Sequence, residues 1–206
     1  MAMSPLEIIS QDLDWREAEL GSLKVLLIRR DTTDLQKLVL LRACWALLYA
    51  HYEGFVKTAM TIFYDEARKR VQNCGSLPKL TRLFALERML RQLKGLPPID
   101  FLTEIEDFVN AHHAGKPTFP EVETKSNLWP NVFSEILDVA DLSVPSLETH
   151  KFLINTLVSR RNNIAHGQRD LITDISYYRS HETAVYDLMY ELSYSIDERL
   201  RKAPYV

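Results

Sequence analysis

The stretch LVLLRACWALLYAHYEGFVKTAMTIF, residues 38–63, decides the fold of this 206-residue chain. Its apolar residues recur at steps of three and four, the period of one face of an α-helix. The helix starts near 31–34 and runs to about Gln72, which makes it roughly 60 Å long at 1.5 Å per residue. Its predicted inner stripe comprises Leu38, Leu41, Trp45, Leu48, Tyr52, Phe55, Val56, Ala59 and Phe63. We expect this helix to be the spine of the domain.

Shorter periodic stretches account for most of the remaining sequence. Ser4, Pro5 and Glu7 open the first of them as an N-cap, a proline at the first helical position and the acid of a capping box. The predicted helices cover about 5–29, 79–94, 98–113, 130–142, 146–165 and 174–202. No strand alternation or hairpin dipeptide is found. The sequence therefore predicts an all-α fold: a single domain over 1–206, formed by a bundle of long helices with a smaller helical insertion at about 75–145.

Composition and charge exclude several classes of protein. The chain is 46% hydrophobic and 26% charged, as in an ordinary globular domain, and its net charge is −3 with a pI near 6.1. No global positive field exists to hold nucleic acid non-specifically, so any RNA contact has to come from a local patch. Two cysteines without a CxxC pair argue against a disulfide scaffold and a thiolate zinc site.

The expected compartment is the cytoplasm. The first residues, MAMSPLEIISQDLDW, carry acids where a signal peptide needs a basic and then an apolar run. The longest apolar run, ACWALLYA, is too short to span a bilayer, so no membrane association is expected. The adjacent His112 and His113 lack metal-ligand spacing, and no phosphate loop or nucleophile elbow is present. We expect neither a metal nor a cofactor.

One segment departs from the acidic balance. Residues 68–94 contain eight basic side chains and a single acidic one, Glu87. Two readings stay open: a solvated helix face, or a basic arm that follows a phosphate backbone. In the second reading, Arg82, Arg88 and Arg91 are the candidate RNA contacts.

The stretch SRRNNIAHG, residues 159–167, ends the helix predicted at 146–165 in hydrogen-bonding groups. Arg161 offers a permanently charged fork suited to phosphate. His166 offers an imidazole suited to proton transfer near neutrality, and Asn162 can hold either the substrate or that imidazole. A five-residue step on a continuous helix turns through roughly 140°, but an end at Gly167 relaxes this restriction, and we expect both side chains to converge on one cleft.

These groups are the parts needed for metal-independent cleavage of RNA by its own 2′-OH. The neighbouring Arg160 and Arg169 are further candidate RNA contacts. In the alternative reading, the polar residues only satisfy terminal helix carbonyls and complement the helix dipole. Because a single histidine does not obviously serve both proton transfers, the chemistry favours a homodimer with its site at the interface.

Three other predictions concern residues around the motif. Glu53 lies on a mostly apolar helix face and requires a cationic partner, either in a structural ion pair or while orienting Arg161 or His166. His150 and His181 are lone histidines, for which a surface or core position is the first reading and a position flanking the cleft the second. The inner stripe of the motif helix is predicted to be Leu147, Phe152, Leu153, Leu157 and Ile164.

Three stretches together resemble a known family. RRNNIAHG at 160–167 resembles the R-x4–6-H motif of the HEPN superfamily, and LLYAHYEGFVKTA at 47–59 is similar to the second helix of its MAE-type members. SNLWPNVFSEIL at 126–137 resembles the segment that leads into their motif helix. In this order and spacing the three cover most of the chain from about 35 to 200.

The resemblance implies a helical bundle that dimerises with its motifs facing each other and acts as a metal-independent endoribonuclease. Arg161 and His166 fall on the catalytic pair, Asn162 on the intervening polar position and Glu53 on the acidic residue of the long helix. Such proteins are common as toxins and antiviral effectors, with an antitoxin or defence-system protein as a further partner. Because the superfamily also has inactive nucleotide-binding and scaffolding members, the alternative is a non-catalytic RNA- or protein-binding subunit of a larger complex.

Overall fold

The computed structural model describes residues 3–169, 172 and 174–206, with the side chains of 106 and 109–111 left out. Within these residues the chain forms helices and no strand, which confirms the predicted all-α class. The α-helices are α1 (Pro5–Leu27), α2 (Asp34–Arg70), α3 (Lys79–Ala85), α4 (Glu87–Lys94), α5 (Pro98–Ala114), α6 (Pro130–Ala140), α7 (Ser146–Ala165) and α8 (Ile175–Leu200). A short 3-10 turn, Cys74–Ser76, follows α2.

Local capping sets the starts of the two first helices. Ser4 and Glu7 form the predicted capping box of α1, with Pro5 in its first turn. Thr33 and Gln36 form a second capping box at the start of α2. The helix predicted over 79–94 is wrong as a single element, because the chain breaks at Leu86 (φ −97°, ψ 0°) and continues as two short helices.

Four long helices, α1, α2, α7 and α8, pack together as the main bundle. α1 runs antiparallel to α8: the Tyr190 hydroxyl donates to Glu17, and Lys24 Nζ lies 2.9 Å from Glu182 Oε1. α7 also runs antiparallel to α8, as shown by the contacts of Ser146 with Glu191 and of His150 with Asp187. The remaining helices, α3 to α6, lie in the predicted insertion, and α6 packs against α7.

Gly54 allows another helix to approach α2 closely. A Cβ atom at Gly54 would lie 3.0 Å from Nη1 of Arg16, which α1 inserts at this point. The Arg16 side chain is buried and is held by Asp12, with Nε 2.8 Å from Oδ2. A larger residue at 54 would therefore displace a buried cation.

The core lies between the four long helices and is centred on α2. Trp45, Leu48, Tyr52, Phe55 and Phe63 are all fully buried, as the periodicity predicts. No helix among the described residues is long and apolar enough to cross a membrane. Both cysteines are buried and unpaired with each other.

The predicted inner stripe of α7 is wrong at Phe152. This side chain is 78% exposed, whereas Ile154 and Val158 of the same helix are fully buried. The buried face follows steps of seven from Leu147 to Ile154, and a five-residue step from Leu147 to Phe152 rotates by roughly 140° away from it. Phe152 therefore presents an aromatic ring to solvent in the middle of α7.

Two buried histidines make the stability of the bundle depend on pH. Burial lowers the pKa of His51 and of His181, and the Arg16 guanidinium lowers that of His51 further. In the unfolded chain both titrate near pH 6.5, so the unfolded state binds more protons below that value. We therefore expect the free energy of unfolding to fall as the pH is lowered from about 7.5 to about 5.5.

Urea denaturation across this pH range checks the expectation. His181→Gln should show a shallower fall than the wild type, because one of the depressed imidazoles is gone. His166→Gln, at an exposed position, serves as the matched control and should keep the wild-type slope. Equal slopes in all three proteins would contradict the assignment.

Candidate active site

Gly167 terminates α7. The Gln168 N–H donates to Asn163 O at 2.9 Å and the Gly167 N–H to Ile164 O at 3.1 Å, the two bonds of a Schellman motif. Gly167 has φ +74°, a left-handed conformation that glycine adopts without steric cost. The predicted glycine stop is thus confirmed, and His166 becomes the last residue of the helical turn.

Arg161 is fixed above α2 by contacts on several sides. Its Nη1 donates to Oδ1 of Asn127 at 3.0 Å and to Oδ1 of Asn162 at 2.9 Å. Its Cζ lies 4.1 Å from the centre of the Tyr49 ring, within the range of a cation–π contact. One turn earlier, the Trp45 indole N–H donates to Leu157 O at 3.1 Å and ties α7 to α2. These contacts hold the guanidinium in a single orientation.

Glu53 has the cationic partners that its position requires. Its Oε2 lies 3.8 Å from Arg161 Nη2, and its Oε1 lies 3.8 Å from Lys57 Nζ and accepts a hydrogen bond from the Thr124 hydroxyl. The side chain is 16% exposed. At 3.8 Å both ion pairs are longer than a charge-assisted hydrogen bond. The carboxylate is therefore shared among three groups rather than closed onto the arginine.

A loop segment, residues 120–128, crosses α2 and brings Thr124 and Asn127 to this place; we call it the strap. The Leu128 N–H donates to the Tyr49 hydroxyl at 2.8 Å and anchors the strap to α2. Burial raises the pKa of Tyr49 to about 12, so this anchor stays neutral at physiological pH. Lys125 (φ 51°) and Ser126 (φ 70°) are both left-handed, at a cost of roughly 1–2 kcal/mol each. Such strain persists only where surrounding contacts fix it.

The side chain of His166 makes no contact with Arg161 within one chain, whereas its backbone N–H donates to Asn162 O at 2.9 Å. His166 continues the helical turn of α7 with φ −87° and ψ 13°, and its side chain is exposed, with no partner among the residues that the structure describes. The expectation that the end at Gly167 lets His166 and Arg161 converge is not met in the monomer. The turn stays nearly helical up to His166, so the five-residue step keeps the two side chains apart.

His150 and His181 follow the first reading of their sequence, surface and core, and do not line the cleft. His150 pairs with Asp187 at 2.8 Å near the start of α7, sixteen residues and roughly 24 Å along the helix from His166. His181 is fully buried, with Nδ1 2.8 Å from Tyr177 O. Both serve packing or pairing instead.

The candidate RNA contacts fall in three different environments. Arg160 packs its guanidinium over the Tyr177 ring at 5.1 Å beside the motif, and Arg169 is exposed just past it. Arg82 faces inward, with its two terminal nitrogens 2.9 Å from His113 Nε2 and 3.1 Å from Leu77 O.

Arg88 and Arg91 line a cavity of about 530 Å³ on α4. The carboxylates that line the same cavity are Glu87, Glu121, Glu123 and Glu135, and Glu87 pairs with Arg91. The positive charge of residues 68–94 is therefore partly neutralised at this place, and the solvated-face reading gains support here.

Four residues that contact Arg161 or Glu53 were not singled out from the sequence: Tyr49 and Asn127 beside Arg161, and Lys57 and Thr124 beside Glu53. Tyr49 and Lys57 lie one helical turn before and after Glu53, so the helical period places them beside it. Asn127 belongs to SNLWPNVFSEIL, which the family resemblance marked without assigning a role. No group of three or more potential metal ligands occurs among the described residues.

The fold and the site together define a class. An all-helical bundle presents an arginine held by amides at the end of one helix, an acidic residue on the long central helix and a histidine at the last turn. The family model described as HEPN_MAE_28990-like HEPN matches residues 5–205, nearly the whole chain. The protein belongs to this HEPN family. No curated protein and no solved structure matches the chain.

Proposed function

We propose that the protein is a metal-independent endoribonuclease that acts as a homodimer. The observation that carries the proposal is the state of Arg161: two amide oxygens and an aromatic face orient it, while Glu53, its carboxylate partner among the described residues, stays 3.8 Å away. Such a guanidinium keeps its charge available for a phosphate and needs little reorganisation when the transition state forms. His166, exposed at the end of the same helix, supplies the proton transfers.

The reaction follows from these groups. An imidazole takes the proton of a ribose 2′-OH, and the 2′-oxygen attacks the adjacent phosphorus. Arg161 stabilises the charge that develops on the phosphoryl oxygens. The bond to the 5′-oxygen breaks, and a second imidazole, which enters the reaction protonated, gives its proton to that oxygen. The products are a 2′,3′-cyclic phosphate and a 5′-hydroxyl.

The separation of His166 from Arg161 within one chain supports the dimer. A second copy related by a twofold axis brings the partner subunit's His166 to the same cleft and supplies both imidazoles. A shallow groove on α7 offers a surface for that contact. Its lining comprises Trp129, Phe152, Asn155, Thr156, Ser159, Arg160 and Asn163. It therefore extends from the exposed Phe152 to the residue next to Arg161.

The test is cleavage of a mixed RNA pool by purified protein in EDTA. We expect cleavage with 2′,3′-cyclic phosphate or 3′-phosphate ends, because no step of the reaction uses a metal. Cleavage that EDTA abolishes would contradict the mechanism. RNA binding without cleavage would instead favour the non-catalytic subunit.

Phe152→Ser should dissociate the dimer. Burial of a phenylalanine contributes about 1.5–3 kcal/mol, and a symmetric interface loses it twice, so the dimer Kd should rise by at least about a hundredfold. Sedimentation velocity across protein concentrations measures this. Tyr194→Ser is the matched control, since Tyr194 is 68% exposed on another helix. An unchanged dimer Kd in Phe152→Ser would place the interface elsewhere.

For the cellular role we propose a toxin or antiviral effector in the cytoplasm, restrained by an antitoxin or defence-system protein. The family membership supports this role, because HEPN ribonucleases are common in such systems. Growth arrest on expression of the wild type, absent with His166→Ala, is the expected result.

A further inference from the structure

We propose that the strap, residues 120–128, is a working part of the site: Asn127 is a positioning residue for Arg161, and Thr124 limits the pull of Glu53 on the guanidinium. This inference rests on the proposed function and extends it to residues outside the R-x4-H motif. The strap belongs to the helical insertion, so it links the insertion to the chemistry.

The first step concerns how the strap presents its two side chains. The consecutive left-handed residues Lys125 and Ser126 reverse the chain between Thr124 and Asn127. The Asn127 N–H donates to Thr124 O at 3.1 Å, which closes this turn. As a result, Thr124 reaches Glu53 while Asn127 reaches Arg161. Neither left-handed residue is a glycine, so the turn is maintained by its contacts rather than by backbone freedom.

The second step concerns the charge of Arg161. A guanidinium has five N–H groups, two of them on Nη1. Asn127 and Asn162 each accept a hydrogen bond from Nη1, and both acceptors are neutral amides. They fix the plane of the guanidinium without neutralising it. The side facing away from Nη1 keeps its N–H groups, and nothing else among the described residues accepts a hydrogen bond from Arg161.

The third step concerns the nearby carboxylate. A bidentate pair with Glu53 would occupy two N–H groups of Arg161 and cancel its charge. The Thr124 hydroxyl binds Oε1 of Glu53, and Lys57 lies 3.8 Å from the same oxygen. Only Oε2 faces Arg161, at 3.8 Å. Thr124 thus keeps the Glu53 carboxylate close enough to orient Arg161 but too far away to form a bidentate ion pair with it.

Asn127→Asp tests the first role. The variant keeps the shape and the acceptor oxygen but adds a charge next to Nη1 of Arg161. We expect kcat to fall by about a hundredfold, in line with the loss of one electrostatic stabiliser, while the melting temperature stays equal or rises because a new ion pair forms. A purely structural role predicts the opposite pattern, with activity following stability.

Thr124→Val tests the second role. The substitution frees Oε1 of Glu53 to pair with Arg161, so we expect kcat to fall about tenfold. Thr124→Ser keeps the hydroxyl and should retain most of the wild-type kcat. Adding Glu53→Gln to Thr124→Val should also recover activity, because the captured arginine is released. No recovery in the double variant would overturn the role of Thr124. Thr103→Val is the matched control: it also removes a threonine hydroxyl, here one bonded to Ile99 O on α5 outside the strap, and should leave kcat unchanged.

A second readout separates this inference from the proposed function. The affinity for an RNA in which 2′-deoxy nucleotides prevent cleavage is measured for wild type and Asn127→Asp. If the wild type cleaves RNA but Asn127→Asp has an unchanged kcat, the inference is overturned and the function stands. If the wild type does not cleave, the function fails, and the inference is then decided by affinity. Weaker binding by Asn127→Asp supports it, and equal binding overturns it.

Discussion

Replacement of His166 by alanine is expected to reduce RNA cleavage by about 10²–10⁴-fold, the contribution of a positioned general acid or base. The imidazole is the exposed titratable group at the motif end of α7, and no other side chain of the R-x4-H motif can exchange a proton near neutrality. Since its side chain has no partner in the described part of the chain, the variant should melt at the wild-type temperature. Single-turnover cleavage of a labelled RNA, together with a thermal melt, measures both quantities.

The control for this variant is His150→Ala. His150 occupies the same helix but pairs with Asp187 far from the motif, so its loss should leave the cleavage rate unaltered. Equal cleavage by His166→Ala and the wild type would remove His166 from the mechanism. Because the proposed reaction uses one imidazole from each chain of the dimer, exchange of wild-type subunits with an excess of His166→Ala should lower the cleavage rate well below that of the wild type alone.

Arg161→Lys is the second substitution with a large expected effect, a fall in kcat of about 10²–10³-fold. A lysine keeps the charge but lacks the planar group with five N–H donors. It cannot make the contacts with Asn127, Asn162 and the Tyr49 ring and at the same time present parallel N–H groups to a phosphate. The half-buried amide oxygens lose their donor, so the free energy of unfolding should also fall by about 1–3 kcal/mol. Steady-state kinetics and urea denaturation measure the two effects.

Arg199→Lys separates the general effect of losing a guanidinium group from a defect specific to the candidate site. Arg199 also packs on an aromatic ring, with Cζ 4.6 Å from the Tyr205 ring centre, and pairs with Asp141 at 3.0 Å. It should show a comparable loss of stability with an unchanged kcat. A similar fall in kcat for both variants would mean that global destabilisation explains the effect.

The sequence predicted the long elements well, because their signals are local. The capping box at Ser4, the apolar stripe of α2 and the glycine stop after α7 each depend on residues within one or two helical turns. The same reasoning failed at Phe152. Its apolar side chain suggested burial, but its angular position on α7 points outward. The reasoning also failed over 79–94, where a continuous periodic pattern concealed a break at Leu86.

For the site, the sequence indicated the types of residue but not how they are brought together. It identified Arg161, Asn162 and His166, and it required a cationic partner for Glu53, which the structure supplies through Arg161 and Lys57. It also led us to expect that Arg161 and His166 converge within one chain. They do not, because α7 keeps its helical turn up to His166.

By itself, then, the sequence determined the long helices, the glycine stop after α7 and the chemical groups there, since 1.5 Å of rise and 100° of rotation per residue fix these from neighbours alone. Only the tertiary structure decided what Arg161 contacts. Asn127 is 34 residues away along the chain, and Thr124 is 71 residues from Glu53. Contacts between residues so far apart in the chain depend on how the strap packs over α2 and on which rotamers that packing permits. The periodicity of apolar residues within one helix determines neither.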